Sequence, residues 1–360
     1  MIVVDCPVNN LSFGNVSYNI LRELYRRGED VSLFLLGDRI DASAFDKIDP
    51  DFKVWIEQSY QNRYNTYDSD LAAFKLWHLN GSIDKKTNNQ FLYTFYECSQ
   101  PTTAEIAIAK SQKHTFFSSS YSNDHFVKCG VKNSSYIPVG FDPDFVIKNV
   151  KKPSGIQFGL MGKYENRKRT EKIVKLWLKK YGNQRGYYLN LLINNPFFSP
   201  EEMQQLLANL IEEKRYFNLN IVPPLKTNTE VNQFLNFIDI DLTGLSGGEG
   251  WNLPAFNATA LGKWSIVLNA TSHKDWATSN NSVLVEPEGI FPCYDGKFFQ
   301  EGAPFNQGVF FDVGDETTVT AMETAVKKAG QVNSEGIKLQ TIFSYRNMVD
   351  KLLSHINASI

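Results

Sequence analysis

The sequence predicts an α/β protein of two successive units, each a parallel sheet wrapped by helices. Three observations carry this. Strand-like and helix-like stretches alternate along the chain, as in doubly wound sheets. The alternation restarts once, after the stretch Lys151-Lys152-Pro153-Ser154-Gly155, which has linker composition. At 360 residues the chain is too long for one small domain and suits two.

In the first unit, Ile2-Val3-Val4-Asp5 has the continuous apolar pattern of a buried parallel strand. A polar loop from Pro7 to Asn15 should lead into a helix. Its apolar face is Ile20, Leu21, Leu24 and Tyr25, and Gly28 stops it. Val31 to Leu36 is the second strand. Phe91 to Phe95 and Thr115 to Phe117 are further strands, and Tyr136 to Asp142 reads as the last strand with its exit loop.

The second unit opens on the strand Ile156 to Met161. A helix from Glu171 to Tyr181 follows, apolar at Ile173, Val174, Leu176 and Trp177. Tyr188 to Ile193, Leu219 to Val222 and Ser265 to Leu268 continue the strands. Phe237 to Leu242 alternates like a strand, and Ala255 to Leu261 reads as a helix closed by Gly262. Two such sheets facing each other leave a cleft at the C-terminal ends of their strands, where ligands bind.

Composition narrows the function classes. The chain is 42% hydrophobic and 21% charged, which is ordinary for a globular protein. Net charge is -2, so no global basic signal for nucleic acid exists, and residues 1–150 carry a slight excess of acid. No apolar stretch approaches the roughly 20 residues of a membrane span. The chain starts directly on a strand pattern, so no leader peptide is expected. Cys6, Cys98, Cys129 and Cys293 are widely spaced, with neither a metal pattern nor a disulfide framework. A reducing, cytoplasmic setting is the expectation.

The run Ser246-Gly247-Gly248-Glu249-Gly250-Trp251-Asn252-Leu253-Pro254 is the most specific signal. A strand, a glycine-rich turn and a helix start make an anion site, because glycines admit close approach and helix N–H groups face outward. This run resembles the donor-sugar loop of GT-B glycosyltransferases, in particular the retaining family 4 type. Three further segments support the resemblance in the family's order. Phe13-Gly14-Asn15-Val16-Ser17 follows the first strand, where the family's loop approaches donor phosphate. Tyr93-Thr94-Phe95-Tyr96-Glu97, Phe117 to Tyr121 and Ile137 to Asp142 are similar to the family's mid-domain segments. Gly162-Lys163-Tyr164-Glu165-Asn166-Arg167-Lys168-Arg169 matches the spacing of its two pyrophosphate-binding cations.

The resemblance implies two facing Rossmann-like domains. Residues 1–150 would hold the acceptor, joined by a returning C-terminal helix at about 345–360, and residues 151–344 would hold the donor. It implies a retaining glycosyltransferase that moves a sugar from a nucleotide sugar to a hydroxyl. The nucleotide sugar is a substrate; no cofactor and no metal are implied. Lys163 and Lys168, assisted by Arg167, would hold the pyrophosphate, with backbone amides at Gly14, Gly247, Gly248 and Gly250 adding to them. Glu249 would orient the sugar, and Glu97 would hold an acceptor hydroxyl as a second catalytic group. Asn15, Trp251, Asn252 and Leu253 would line the donor site. At the eighth position after Glu249 the family has a second glutamate for the ribose, and here stands Asn257. A neutral amide binds a hydroxyl less strongly than a carboxylate, so the nucleotide stays open. The acceptor also stays open: glycan, lipid, protein, small molecule or a modified base of viral DNA. A non-catalytic nucleotide-sugar binding module is the alternative from another class. His273 falls in a loop after the next strand, where it either touches the cleft or serves the fold.

Overall fold

Strand order fixes where this molecule can bind a ligand. The computed structural model describes residues 1–212 and 214–358. In the first domain the strands are β1 (Ile2–Cys6), β2 (Val31–Leu35), β3 (Ala72–Leu76), β4 (Asn89–Thr94), β5 (His114–Phe117) and β6 (Ser134–Tyr136). They form one sheet in the order β2-β1-β3-β4-β5-β6, every neighbouring pair parallel. Helices α1 (Ser12–Arg26), α2 (Pro50–Gln61), α3 (Thr103–Ser111) and α4 (Ser120–Lys128) connect them.

The second domain repeats the plan. Its strands are β7 (Ile156–Lys163), β8 (Tyr187–Asn194), β9 (Leu219–Ile221), β10 (Ile240–Asp241), β11 (Trp264–Leu268) and β12 (Ser282–Val285). The order β12-β11-β10-β7-β8-β9 is the doubly wound 3-2-1-4-5-6 arrangement read from the other edge. A two-stranded antiparallel hairpin, β13 (Gly289–Pro292) and β14 (Val309–Asp312), stands apart from that sheet. The helices are α5 (Thr170–Tyr181), α6 (Pro200–Leu210), α7 (Asn228–Phe237), α8 (Leu253–Ala260), α9 (Asp315–Lys328), α10 (Ser334–Ile337), α11 (Leu339–Ile342) and α12 (Tyr345–Asn357). Among the described residues, no helix is long and apolar enough to cross a membrane.

Local chemistry explains the helix starts. α3, α6 and α7 each open on a capping box, Thr102 with Glu105, Ser199 with Glu202 and Thr227 with Glu230. α6 and α2 also carry proline in their first turn, where its missing N–H costs nothing. α12 buries Tyr345, Met348, Val349, Leu352 and Ile356, spaced along one face. That face returns to the first domain. Asp350 pairs with Arg27 at 2.7 Å, and Phe141 and Ser344 form a β-bridge. Residues 359 and 360 of the expected final helix lie outside the described residues.

Three differences from the sequence expectation have physical causes. The helix α1 starts at Ser12, so Gly14 and Asn15 sit in its first turn rather than in a loop. Strand β10 spans two residues, because Phe237 still belongs to α7 and Asp239 bends the chain by bonding the Gln157 amide at 2.8 Å. Helix α2 and strand β3 were not anticipated: α2 has a weak apolar face, and β3 carries a buried lysine. Lys75 is tolerated there because Asp5 lies 3.3 Å away and the carbonyls of Gly81 and Asp84 accept from it, each at 3.0 Å.

The domains share apolar surface. One core cluster joins Val16 and Phe141 of the first domain to Phe234, Trp251 and Phe256 of the second and to Met348 of α12. Another joins Leu92, Phe117 and Phe126 of the first domain to Cys293, Phe299 and Phe310 of the hairpin region.

Candidate active site

Both sheets point their C-terminal strand ends at the space between the domains. In the second sheet the order reverses between β7 and β10, the place where such sheets bind ligands. The segment after β7 and the glycine-rich loop after β10 meet there. Arg167 Nη1 lies 3.0 Å from Glu249 Oε2 and donates to the Gly248 carbonyl at 3.0 Å. Lys168 Nζ donates to Glu249 Oε1. Arg167 Nε stands 2.8 Å from Glu165, and its Nη2 stands 4.0 Å from Glu97. The side chains of Arg167, Lys168 and Glu249 are only 12%, 11% and 5% exposed.

Electrostatics fix the charge states. Burial alone would raise the Glu249 carboxyl, but Lys168 and Arg167 outweigh it and hold it at about 2. Burial raises Glu97, with Arg167 acting against it. Burial lowers Lys168, with Glu249 acting against the drop, so the site pairs its two basic side chains with an enclosed, ionised carboxylate. Lys163 stands further out, 37% exposed, 3.8 Å from Glu165 and 5.1 Å over the Phe197 ring.

The glycines of the loop serve close packing more than ligand approach. A Cβ on Gly247 would lie 2.3 Å from the Phe311 carbonyl, one on Gly248 2.2 Å from the Phe310 ring, and one on Gly250 2.8 Å from Phe95 Cβ. The Gly247 N–H, expected to face an anion, donates to the Arg167 carbonyl at 2.8 Å. The amides of Gly248 and Gly250 make no hydrogen bond among the described residues.

Trp251 and Asn252, expected against the donor, belong to the fold. Trp251 is 1% exposed and packs edge-on against Phe256 and Phe343. Asn252 caps α8 in a left-handed conformation, φ 66°. Its Nδ2 donates to the Thr243 carbonyl at 3.0 Å and to His273 Nε2 at 2.9 Å. His273 Nδ1 donates to the Leu268 carbonyl at 2.8 Å, which leaves Nε2 as the acceptor and the ring neutral. His273 is thus structural, and burial pushes it down to about 4.

Asn15 is also committed to structure. Its amide donates to the Leu11 carbonyl at 3.1 Å and its oxygen accepts from Asn228 of the second domain at 2.9 Å. Gly14 is required because a Cβ would strike the Asn9 carbonyl at 2.2 Å. Asn257 and Leu253 line a pocket of about 200 Å³ between α1, α7 and α8. Asn257 is 8% exposed, and its Oδ1 is buried without a hydrogen-bond partner.

A second pocket, about 420 Å³, opens beside Arg167 and Glu97. Sequence reasoning missed one of its residues, His78, which directly follows β3 with Trp77. The signal was there: a Trp-His pair after an apolar run, hidden because Lys75 interrupts the strand pattern. His78 opens to the pocket, its ring tilted by 43° against Phe13 with centroids 4.5 Å apart, and the enclosing pocket walls, then Lys163 and Arg167, lower it to about 4. Among the described residues, no group of His, Cys, Asp or Glu is arranged to hold a metal.

No family model and no curated protein sequence matches the chain. Solved structures match it from end to end. Sucrose-phosphate synthase from Thermosynechococcus elongatus is 11% identical with a TM-score of 0.71, covering 100% of this chain and 99% of that one. HepE of Anabaena in complex with UDP-glucose is 12% identical with a TM-score of 0.66, covering 99% of each chain. An E. coli trehalose-6-phosphate protein bound with UDP-2-fluoro glucose is 10% identical with a TM-score of 0.66, covering 99% of this chain and 98% of that one. At such identities the likeness establishes architecture: the chain has the GT-B fold.

Proposed function

We propose that the chain is a retaining glycosyltransferase that moves a sugar from a nucleoside diphosphate sugar to an acceptor hydroxyl. The observation that carries the reading is the enclosed cluster of Arg167, Lys168 and Glu249 at the switch point of the second sheet. In transfer, the bond from the anomeric carbon to the diphosphate oxygen breaks, and negative charge builds on that oxygen. Lys168 and Arg167, with Lys163 at the mouth, stabilise this charge without reorganising. The unspent amides of Gly248 and Gly250 add to it. Ionised Glu249 accepts hydrogen bonds from the sugar's hydroxyls and holds the two cations in place.

Asn257 Oδ1, buried and unpartnered, is suited to accept from a ribose hydroxyl. The acceptor oxygen bonds to the anomeric carbon, and its proton passes to the leaving diphosphate. No general base from the protein is needed on that route. The nucleotide sugar is a substrate, and no further cofactor enters the reading.

UDP-glucose is the first donor to test, because related folds were solved with UDP-glucose or a UDP-2-fluoro sugar bound. The experiment is UDP release from UDP-glucose by wild type, Glu249→Gln and Lys168→Ala. Release by wild type and its loss in both folded variants is the expected result. Near-normal release in both variants overturns the assigned roles. Stabilisation by UDP-glucose without any release marks a binding module instead.

A further inference from the structure

The 420 Å³ pocket beside Arg167 is built from both domains, and its chemistry is specific. Trp77 and Phe95, after β3 and β4, line it from the first domain. Phe197, after β8, and Phe298, in the loop between β13 and β14, line it from the second, their ring centroids 5.2 Å apart. Loop 293–308 reaches the pocket by crossing the domain boundary. The Gln100 amide donates to the Gln307 carbonyl at 3.2 Å, Thr102 Oγ1 to the Pro304 carbonyl at 2.6 Å, and the Asn306 amide to Glu105 at 2.7 Å. The loop is anchored in the first domain's core through Cys293 and Phe299, beside Phe310 of β14.

The polar groups of the lining divide into spent and unspent. Glu105 is spent on Tyr96, the Thr102 amide and the Asn306 amide. Glu165 is spent on Arg167 and Lys163. Glu97 makes no hydrogen bond among the described residues, its nearest cation being Arg167 at 4.0 Å, and neither ring nitrogen of His78 makes one. Glu97 supplies two acceptor oxygens, and neutral His78 supplies one donor and one acceptor.

We propose, resting on the glycosyl-transfer reading, that this pocket is the acceptor site and that it takes an uncharged pyranose. A pyranose has C–H faces that lie against Trp77, Phe95 and Phe298, and a hydroxyl edge that meets Glu97 and His78. A wholly apolar acceptor would cover the Glu97 carboxyl and leave it without a hydrogen bond, with only Arg167 4.0 Å away to balance it, which is costly. A phosphorylated sugar meets three lining carboxylates, Glu97, Glu105 and Glu165, against two cations already paired with Glu165. A nucleic-acid duplex does not enter a cavity of this size. The pyranose hydroxyl beside Glu97 bonds to the donor's anomeric carbon as the diphosphate leaves and takes the hydroxyl proton. Because Phe298 and Phe197 come from the second domain, the site is complete when the two domains are together.

The test is ligand-observed NMR of the full chain with methyl pyranosides of glucose, galactose, mannose and N-acetylglucosamine, alongside glucose 6-phosphate. UDP-glucose binding is measured in parallel on the same samples. At least one methyl pyranoside should bind. Phe298→Ala should weaken it about fivefold, as loss of a ring contact does, and Glu97→Gln about tenfold, as loss of a hydrogen bond to a charged group does. UDP-glucose binding by Phe298→Ala should stay unchanged, and circular dichroism of both variants shows that they fold. The proposal is overturned if no pyranoside binds a protein that binds UDP-glucose, if both variants bind as wild type does, or if glucose 6-phosphate binds more tightly than glucose. Pyranoside binding without UDP-glucose binding would support the pocket and defeat the donor reading.

Discussion

Arg167 and Glu249, brought together from the ends of two different strands, stand 3.0 Å apart at the switch point of the second sheet. Arg167 also holds the Gly248 carbonyl, so its guanidinium ties the glycine-rich loop to the segment after β7. Lys168 completes the pairing from the other carboxylate oxygen. The charges are arranged before any ligand arrives, which is what electrostatic stabilisation of a leaving diphosphate requires.

Removing the carboxylate should therefore damage both stability and chemistry. Glu249→Ala leaves two enclosed cations without their partner and should cost about 3–5 kcal/mol of folding free energy. UDP release should fall by about a hundredfold or more. Urea denaturation and nucleotide-release kinetics read the two effects separately.

Lys168 and Glu249 should be coupled. In a double-mutant cycle, Lys168→Met with Glu249→Gln should be less destabilising than the sum of the single changes, by about 1–3 kcal/mol. Additive stabilities would mean that the contact contributes nothing to the folded state. Donor turnover should be lost in all three proteins regardless.

Acid should weaken the fold through His273. Its folded value near 4 lies below the ordinary 6.5, because the neutral ring is buried and accepts from Asn252. A base whose value is lowered contributes stability that is complete above pH 6.5 and is lost as pH falls toward 4. The expected slope from this ring is about 1.4 kcal/mol per pH unit in that window. His273→Gln should flatten that part of the pH–stability curve. An unchanged curve would show that the ring is already protonated or not enclosed.

Gly248 offers a test of the loop's packing. Gly248→Ala drives a methyl into the Phe310 ring, 2.2 Å from Cδ1, and should cost about 1–3 kcal/mol by overpacking. It should also displace the hairpin that carries loop 293–308. A substitution without thermal effect would mean that the hairpin can move away freely.

The alternation of apolar strands with amphipathic helices exposed the two-sheet plan, because burial dictates that pattern directly. The cations at 163–168 and the glycine-rich run were equally visible, since their spacing is local. What stayed hidden depends on the tertiary arrangement. Trp251 and Asn252 lie in the same run as Glu249, yet their side chains turn into the core, which spacing cannot reveal. The glycines read as anion contacts, but Phe310, Phe311 and Phe95, distant in sequence, are what demand them. β3 was masked by Lys75, whose charge is balanced by Asp5 on the neighbouring strand. With β3 unseen, His78 had no place at the cleft. The crossing of loop 293–308 was likewise not legible, because the loop offers mainly backbone groups, the Pro304 and Gln307 carbonyls and the Asn306 amide, to residues 100–105.

The most direct test of the central claim is thermal unfolding against a panel of nucleotides and nucleotide sugars, with Lys168→Ala beside wild type. A ligand at about 100 times its Kd adds about 2.7 kcal/mol to the folded state. The account predicts a selective upward shift with a nucleoside diphosphate sugar in wild type, strongly reduced in Lys168→Ala. An equal shift in both proteins, or no shift with any member of the panel, would contradict it.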